Sequence, residues 1–191
     1  GMYRDPNNPM VYDLVPRGLF SVLLNFGYNG KYFSEIDESL RKSGLLTLKM
    51  QSVTGEIPFG GLSNQFPHNE AHLLIVFEYE AKRYAKEGNI ALASVFKRAA
   101  EKALDNVDLW LSQYPIRHVK NYFDTATKYG CENYAYFDKY MITTASFLYA
   151  AYLICDESIP SAQVDDKAPY TLQLSKHFHK IFAKNGDYFI E

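Results

Sequence analysis

The sequence lacks the features that mark several large classes of protein. Its two cysteines, Cys131 and Cys155, fit neither a disulfide framework nor a cysteine-based metal site. The 20 Lys and Arg nearly balance the 22 Asp and Glu, so no excess of positive charge indicates binding to nucleic acid or to an anionic membrane. No apolar run approaches the ~20 residues of a membrane-spanning helix. We therefore expect one well-buried domain without a nucleic-acid partner or membrane insertion, and nothing in the sequence indicates a cofactor.

The ends of the chain bear on its location. No signal peptide is visible, and Gly1-Met2 resembles the remnant of a cleaved tag, which we exclude from the fold. If a leader has been removed upstream, we expect a periplasmic or extracellular protein, and otherwise a cytoplasmic one.

Aromatic residues are abundant, with 16 Tyr and 13 Phe against a single Trp. Tyrosine has an apolar ring and a polar hydroxyl, so it suits both a helical core and a cleft that stacks on sugars. Ring packing between helices accounts for most of this content.

Apolar residues recur at helical spacing along most of the chain. They predict five helices, over about 11–26, 34–50, 68–86, 90–112 and 134–156. The fifth is almost wholly apolar after Met141, so we expect it to be buried on most sides. Beyond residue 160 the sequence resembles a linker, followed by a short helix over Leu172–Phe182 and an interrupted strand at the end. The predicted class is all-α, with a helical domain over 1–160 and a tail over 161–191.

The connections between these helices alternate in length. Those within the first and second helix pairs are short, whereas those over about 51–67 and 114–133 are long and polar. This alternation is typical of stacked antiparallel helical hairpins, whose long loops gather at one end. An (α/α) solenoid or toroid is therefore favoured over a plain helical bundle.

The first long loop and the start of the third helix carry the densest group of polar side chains. The candidate ligand-binding residues here are Ser63, Asn64, Gln65, His68, Asn69 and Glu70. Each has a structural alternative. Asn and Gln commonly brace loops, and the helix dipole stabilises a Glu in the first turn of a helix. His68 and His72 have the spacing of two metal ligands on a helix, but no third ligand is evident and we predict no metal site.

Several blocks of the sequence resemble one family. They are Tyr12–Arg17, Gly27–Tyr32, Met50–Pro58, Gly60–Gln65, His68–Ala71 and Tyr136–Ser146. Together they resemble bacterial carbohydrate-active proteins with the (α/α) toroid of heparinase II/III-type polysaccharide lyases. Relatives usually carry Arg where Leu62 stands, which weakens the case for a uronate substrate. A complete (α/α)6 toroid has about twelve helices, so this chain supplies roughly half, as an excised fragment or a shortened relative.

The resemblance implies β-elimination beside a uronic acid of a poly- or oligosaccharide. This reaction needs a group that neutralises the substrate carboxylate, a base for the C5 proton and an acid for the leaving oxygen. We assign catalysis to His68, Tyr140, Tyr136 and Asn64. Substrate binding is assigned to Gln65, Asn69, Glu70, Ser63, Asp138 and Arg17. Asp138 could instead form a structural ion pair with Lys139 or Arg17, or act as an acid.

Two alternatives remain. A glycoside hydrolase would use Glu70 and Asp138 as its carboxylate pair. A non-catalytic module would bind glycans or protein through its aromatic residues. Because half a toroid leaves apolar helix faces open, we also expect self-association.

Overall fold

In the computed structural model, the described residues are 3, 10–58, 63–127, 129–130, 139–163, 168–174, 178 and 180–191, and all structural statements below concern these. The assignments made for Tyr136 and Asp138 lie outside the described residues. So does that part of the predicted fifth helix which precedes residue 139.

Five α-helices account for most of the described structure. They are α1 (Met10–Asn25), α2 (Phe33–Met50), α3 (His68–Lys86), α4 (Ile90–Leu111) and α5 (Tyr140–Ile154), with a single 3-10 turn at Thr125–Thr127. The predicted all-α class is confirmed only as far as a mostly helical structure, and the first four helices lie within a few residues of their predicted ranges. The stacking of hairpins into part of a toroid remains a proposal.

Helix α3 is the centre of the helical region, because it packs against α4, α5 and α1. Leu73, Val76 and Phe77 of α3 are fully buried, together with Phe96 and Ala100 of α4. The sharp turn between these two helices is stabilised at Asn89, whose side-chain oxygen accepts a hydrogen bond from the Leu92 N–H at 3.1 Å. Helices α3 and α4 therefore pack together along a shared apolar core.

Helix α5 corrects the expectation that its apolar sequence would be buried on most sides. Its inner face contacts α3, but Ile142, Tyr149, Tyr152 and Leu153 are exposed, Ile142 by 75%. An apolar composition shows that a helix can be buried and does not show that neighbours are present to cover it. None of the described helices is long and apolar enough to cross a membrane.

The C-terminal region forms a small sheet, so the predicted helix over Leu172–Phe182 is wrong. Strands β1 (Tyr170–Gln173), β2 (Ile181–Asn185) and β3 (Tyr188–Ile190) pair antiparallel in the order β1-β2-β3. Phe182 and Leu174 pack on Met50 at the end of α2. In a strand, alternate side chains point to the same face, so β2 can bury Phe182 against α2 while its neighbours are more exposed. The predicted all-α class is therefore corrected to a mostly helical fold with a three-stranded sheet. The division into domains at residue 160 stays a prediction.

Candidate functional site

The first long loop begins with a segment that is fixed to α4. The Gln51 side-chain amide donates to the carbonyl oxygens of Gly55 and Ala99, at 3.0 and 2.9 Å. Gly55 has a φ of +91°, and a Cβ at this position would lie 2.1 Å from the carbonyl oxygen of Lys102. Only glycine allows the loop to approach the α4 backbone this closely. The loop therefore enters the site on a fixed path.

Asn64 and Asn69 brace this loop from within. The Asn64 amide donates to the carbonyl oxygen of Pro58 at 3.1 Å, and the Asn69 amide donates to that of Ser63, a residue with a φ of 66°. Both asparagines therefore have the loop-bracing role that the sequence left open. Their amide nitrogens are engaged, whereas their side-chain oxygens are buried and make no hydrogen bond to the described protein.

His68 begins α3 and is enclosed by aromatic rings. Its imidazole stacks on Phe66 and on Tyr140 of α5, with ring centroids 5.4 and 5.3 Å apart. Burial, followed by the positive charge of Lys120, lowers the pKa of His68 to about 4. His68 is therefore a neutral imidazole at pH 7, and it lies beside Tyr140, which the sequence also assigned to catalysis.

His72 lies one turn further along α3, deeper in the protein. It packs against Phe147 of α5 at a ring-centroid distance of 3.7 Å and against the backbone at Gly18 of α1. Burial, followed by the proximity of His68, lowers the pKa of His72 to about 3. Neither ring nitrogen makes a hydrogen bond within the described structure. Among the described residues, no group of three or more metal-binding side chains includes this pair.

Lys120 is the residue of the site that sequence reasoning missed. It belongs to the second long loop, and its backbone N–H donates to the carbonyl oxygen of Gln65 at 2.7 Å. Its ammonium group donates to Glu70 Oε1 at 2.9 Å and lies 3.9 Å from Glu56 Oε1. The Lys120 side chain is only 8% exposed. One residue thus joins the two long loops at the first turn of α3.

Glu70 is completely buried beneath Lys120. Its carboxylate also accepts a long hydrogen bond from the Ile57 N–H at 3.4 Å. Burial raises the pKa of Glu70, and the adjacent Lys120 ammonium acts in the opposite direction. A carboxylate held in this way has a structural role first, because it fixes Lys120 and the loop at Ile57.

Arg17 lies at a different place. Its guanidinium forms an ion pair with Asp13 at 2.6 Å and donates to the Thr47 hydroxyl at 2.7 Å, so it joins α1 to α2. Both charged residues are buried in this interface. These contacts explain Arg17 without a ligand, and we leave it out of the site built around His68.

The most informative property of the site is its unused hydrogen-bonding capacity. Buried polar atoms are nearly always paired in native proteins. Six buried polar atoms between residues 64 and 72 make no hydrogen bond to the described protein. They are Asn64 Oδ1, His68 Nδ1, Asn69 Oδ1, Glu70 Oε2 and both ring nitrogens of His72. These six atoms lie around the first two turns of α3, where the two long loops meet.

Comparisons of the chain with protein-family models, with curated proteins and with solved structures find no match.

Proposed function

We propose that the protein is a carbohydrate-active protein of the polysaccharide-lyase type, acting by β-elimination beside a uronic acid. The observation that carries this proposal is the neutral His68 stacked against Tyr140, surrounded by buried polar atoms that lack partners. A neutral imidazole can accept a proton at pH 7, and a tyrosine hydroxyl can donate one to a leaving oxygen. Both groups come from the packed helices α3 and α5.

The roles of the asparagines are adjusted in this proposal. Because the amide nitrogens of Asn64 and Asn69 already brace the loop, they are poorly placed to neutralise a carboxylate. Their unpaired oxygens are acceptors, and acceptors suit sugar hydroxyl groups. We therefore assign both residues to substrate binding, with His68 as base and Tyr140 as acid.

The lyase chemistry itself comes from the resemblance to (α/α) toroid proteins, and the meeting of the two long loops is compatible with that fold. The two long loops meet at one end of the helices, through the contact of Lys120 with Gln65 and Glu70. This is where a toroid of stacked hairpins would place its cleft. Exposed apolar residues lie on α1, among them Leu19 and Phe20, and on the outer face of α5. Further helices, or a second copy of the chain, would pack on these faces in such a ring.

The proposal is tested by the product of the reaction. Elimination creates a conjugated double bond that absorbs in the ultraviolet, so incubation with a panel of uronate polymers is expected to give a growing absorbance. His68→Gln and Tyr140→Phe are each expected to reduce the rate at least a hundredfold, because general acid–base groups contribute about 10²–10⁴-fold. Tyr149→Phe, an exposed tyrosine on the same helix, is the matched control and should leave the rate unchanged. A panel without any absorbance would reject the lyase.

The glycoside hydrolase alternative is weakened by the surroundings of Glu70. A catalytic carboxylate must reach the substrate, whereas Glu70 is fully buried and bound to Lys120. Release of reducing ends without ultraviolet absorbance would nevertheless favour hydrolysis over elimination.

A non-catalytic binding module is the second candidate, and the outer face of α5 favours it. Tyr149 and Tyr152 stack on each other there with ring centroids 6.4 Å apart, and both are mostly exposed. Exposed apolar patches commonly mark interaction surfaces. Binding of a glycan that survives His68→Gln but is lost in Tyr152→Ala, without turnover, would support the module.

A further inference from the structure

Lys120 combines three properties that are rarely found together on one lysine. Its side chain is almost completely buried, it lies beside the neutral His68 whose pKa it helps to lower, and it has donors to spare. An ammonium group has three donors, yet the only hydrogen bond from Lys120 Nζ within the described structure goes to Glu70. Buried lysines normally use their donors fully, because an ammonium group is costly to remove from water.

Glu56 is a partly exposed carboxylate close to Lys120. Its carboxylate lies 3.9 Å from Lys120 Nζ, too far for a hydrogen bond, and its side chain is 38% exposed. Glu56 is held there by its own loop, since the Thr54 hydroxyl donates to Glu56 Oε2 at 3.2 Å. A solvent-accessible carboxylate thus stands next to unused donors on a buried cation.

We propose that Lys120 is the anion-recognition residue of this site, and that a carboxylate of the substrate displaces the Glu56 carboxylate to bind the Lys120 ammonium group. This inference rests on the proposed function and names its substrate class, a glycan bearing carboxylates. It also supplies the charge-neutralising group that Asn64 and Asn69 are poorly placed to provide. Glu70 keeps Lys120 in position from the buried side while the exposed side accepts the ligand.

The proposal predicts opposite effects for two substitutions. Lys120→Met removes the cation and should weaken binding of a uronate oligosaccharide at least tenfold, because charge-assisted hydrogen bonds are the strong ones. Glu56→Gln removes the competing carboxylate and should tighten binding about fivefold. The gain is modest because the repulsion between Glu56 and the substrate carboxylate acts close to water, which weakens it. A merely structural Lys120 would not produce a gain of affinity in Glu56→Gln.

Titration calorimetry on the full chain measures these effects with three tetrasaccharides, from polygalacturonate, alginate and hyaluronan, each as the acid and as its methyl ester. The ester removes the charge and leaves the sugar, so both substitutions should change acid binding and leave ester binding unaltered. Lys97→Met is the control, since it removes a buried lysine bound to Glu78, about two turns further along α3 than Glu70. Because Lys120→Met leaves Glu70 buried without a partner, the double variant K120M/E70Q provides a neutral replacement that should lose affinity equally.

The outcomes separate this inference from the proposed function. Acid-specific binding with the two opposite effects, but without elimination, upholds Lys120 and rejects the lyase. Equal effects on acid and ester, no gain in Glu56→Gln, or no binding of any acid would overturn the role of Lys120, even if elimination were observed.

Discussion

Charged helices are usually exposed and apolar helices usually buried, but α3 and α5 show the opposite. Helix α3 contains three glutamates, two histidines and three basic residues, yet most of it is buried. Helix α5 contains no charged residue, yet only Thr144, Ala151 and Ile154 are fully buried. The difference shows that position in the fold decides burial. A charged helix can occupy the centre when other elements supply partners for its charges.

The partners of α3 come from three directions. Glu78 binds Lys97 of α4, Glu80 lies 3.1 Å from Arg83, which also contacts Asp37 of α2, and Glu70 binds Lys120. Even so, burial raises the pKa of Glu80 to about 7. At the first two turns the histidines lack such partners and stay neutral. The candidate site therefore lies at the end of α3 that buries two neutral histidines.

The largest expected effect is the loss of a partner within α3. Lys97→Met leaves the buried Glu78 carboxylate unpaired and should lower the free energy of unfolding by about 3 kcal/mol. Urea unfolding followed by circular dichroism measures it. The control is Lys42→Met, which breaks the exposed Lys42–Glu38 pair of α2 and should leave the unfolding midpoint unchanged. Equal losses in the two variants would contradict the view that α3 depends on its charge partners.

The buried histidines should make the protein sensitive to acid. Since the pKa of His72 falls from 6.5 to about 3 on folding, the unfolded chain binds a proton that the folded chain does not. Stability is then lost as the pH falls below 6.5, by about 3 kcal/mol from His72 at pH 4.

His72→Leu tests this directly, because leucine fills a similar volume and does not titrate. Unfolding measured from pH 7 to pH 4 should show a clearly shallower loss of stability than in the unaltered chain. If the dependence of stability on pH were unchanged in His72→Leu, folding would not lower the pKa of His72.

The smallest effect on stability is expected on α5. Tyr152→Ser on its exposed face should change the free energy of unfolding by less than about 0.5 kcal/mol, because no core contact is lost. If this face mediates the proposed self-association, the same substitution should shift light scattering towards the monomer. A large loss of stability would place Tyr152 in a core, and a clean monomer before substitution would exclude self-association through this face.

The helices could be predicted from the sequence because local signals mark them. Apolar spacing gave their interiors, and the breaks at Gly27 and Gly88, both at positive φ, gave the ends of α1 and α3. The sheet also has a local signal in the sequence. Gly186-Asp187 lies between the apolar runs 181–183 and 188–190, and Gly186 has the positive φ that a two-residue hairpin turn needs.

The site could be predicted only in part, for a different reason. His68, Asn64, Asn69 and Glu70 lie close together in sequence, so their grouping follows from the loop and the first turn of α3. Lys120 is 50 residues from Glu70, and no sequence pattern in either segment predicts their contact. The exposure of α5 is equally hidden, because it depends on which elements surround the helix and not on its own residues.

The central claim is that the first turns of α3 hold neutral, unpartnered groups ready for a polar ligand. Imidazole signals of His68, followed by nuclear magnetic resonance from pH 7.5 to pH 3.5 with and without a uronate tetrasaccharide, test it most directly. The account predicts titration near pH 4 in the free protein and a displaced His68 signal when the sugar is added. Titration near 6.5, as for an exposed histidine, with no response to any uronate, would contradict it.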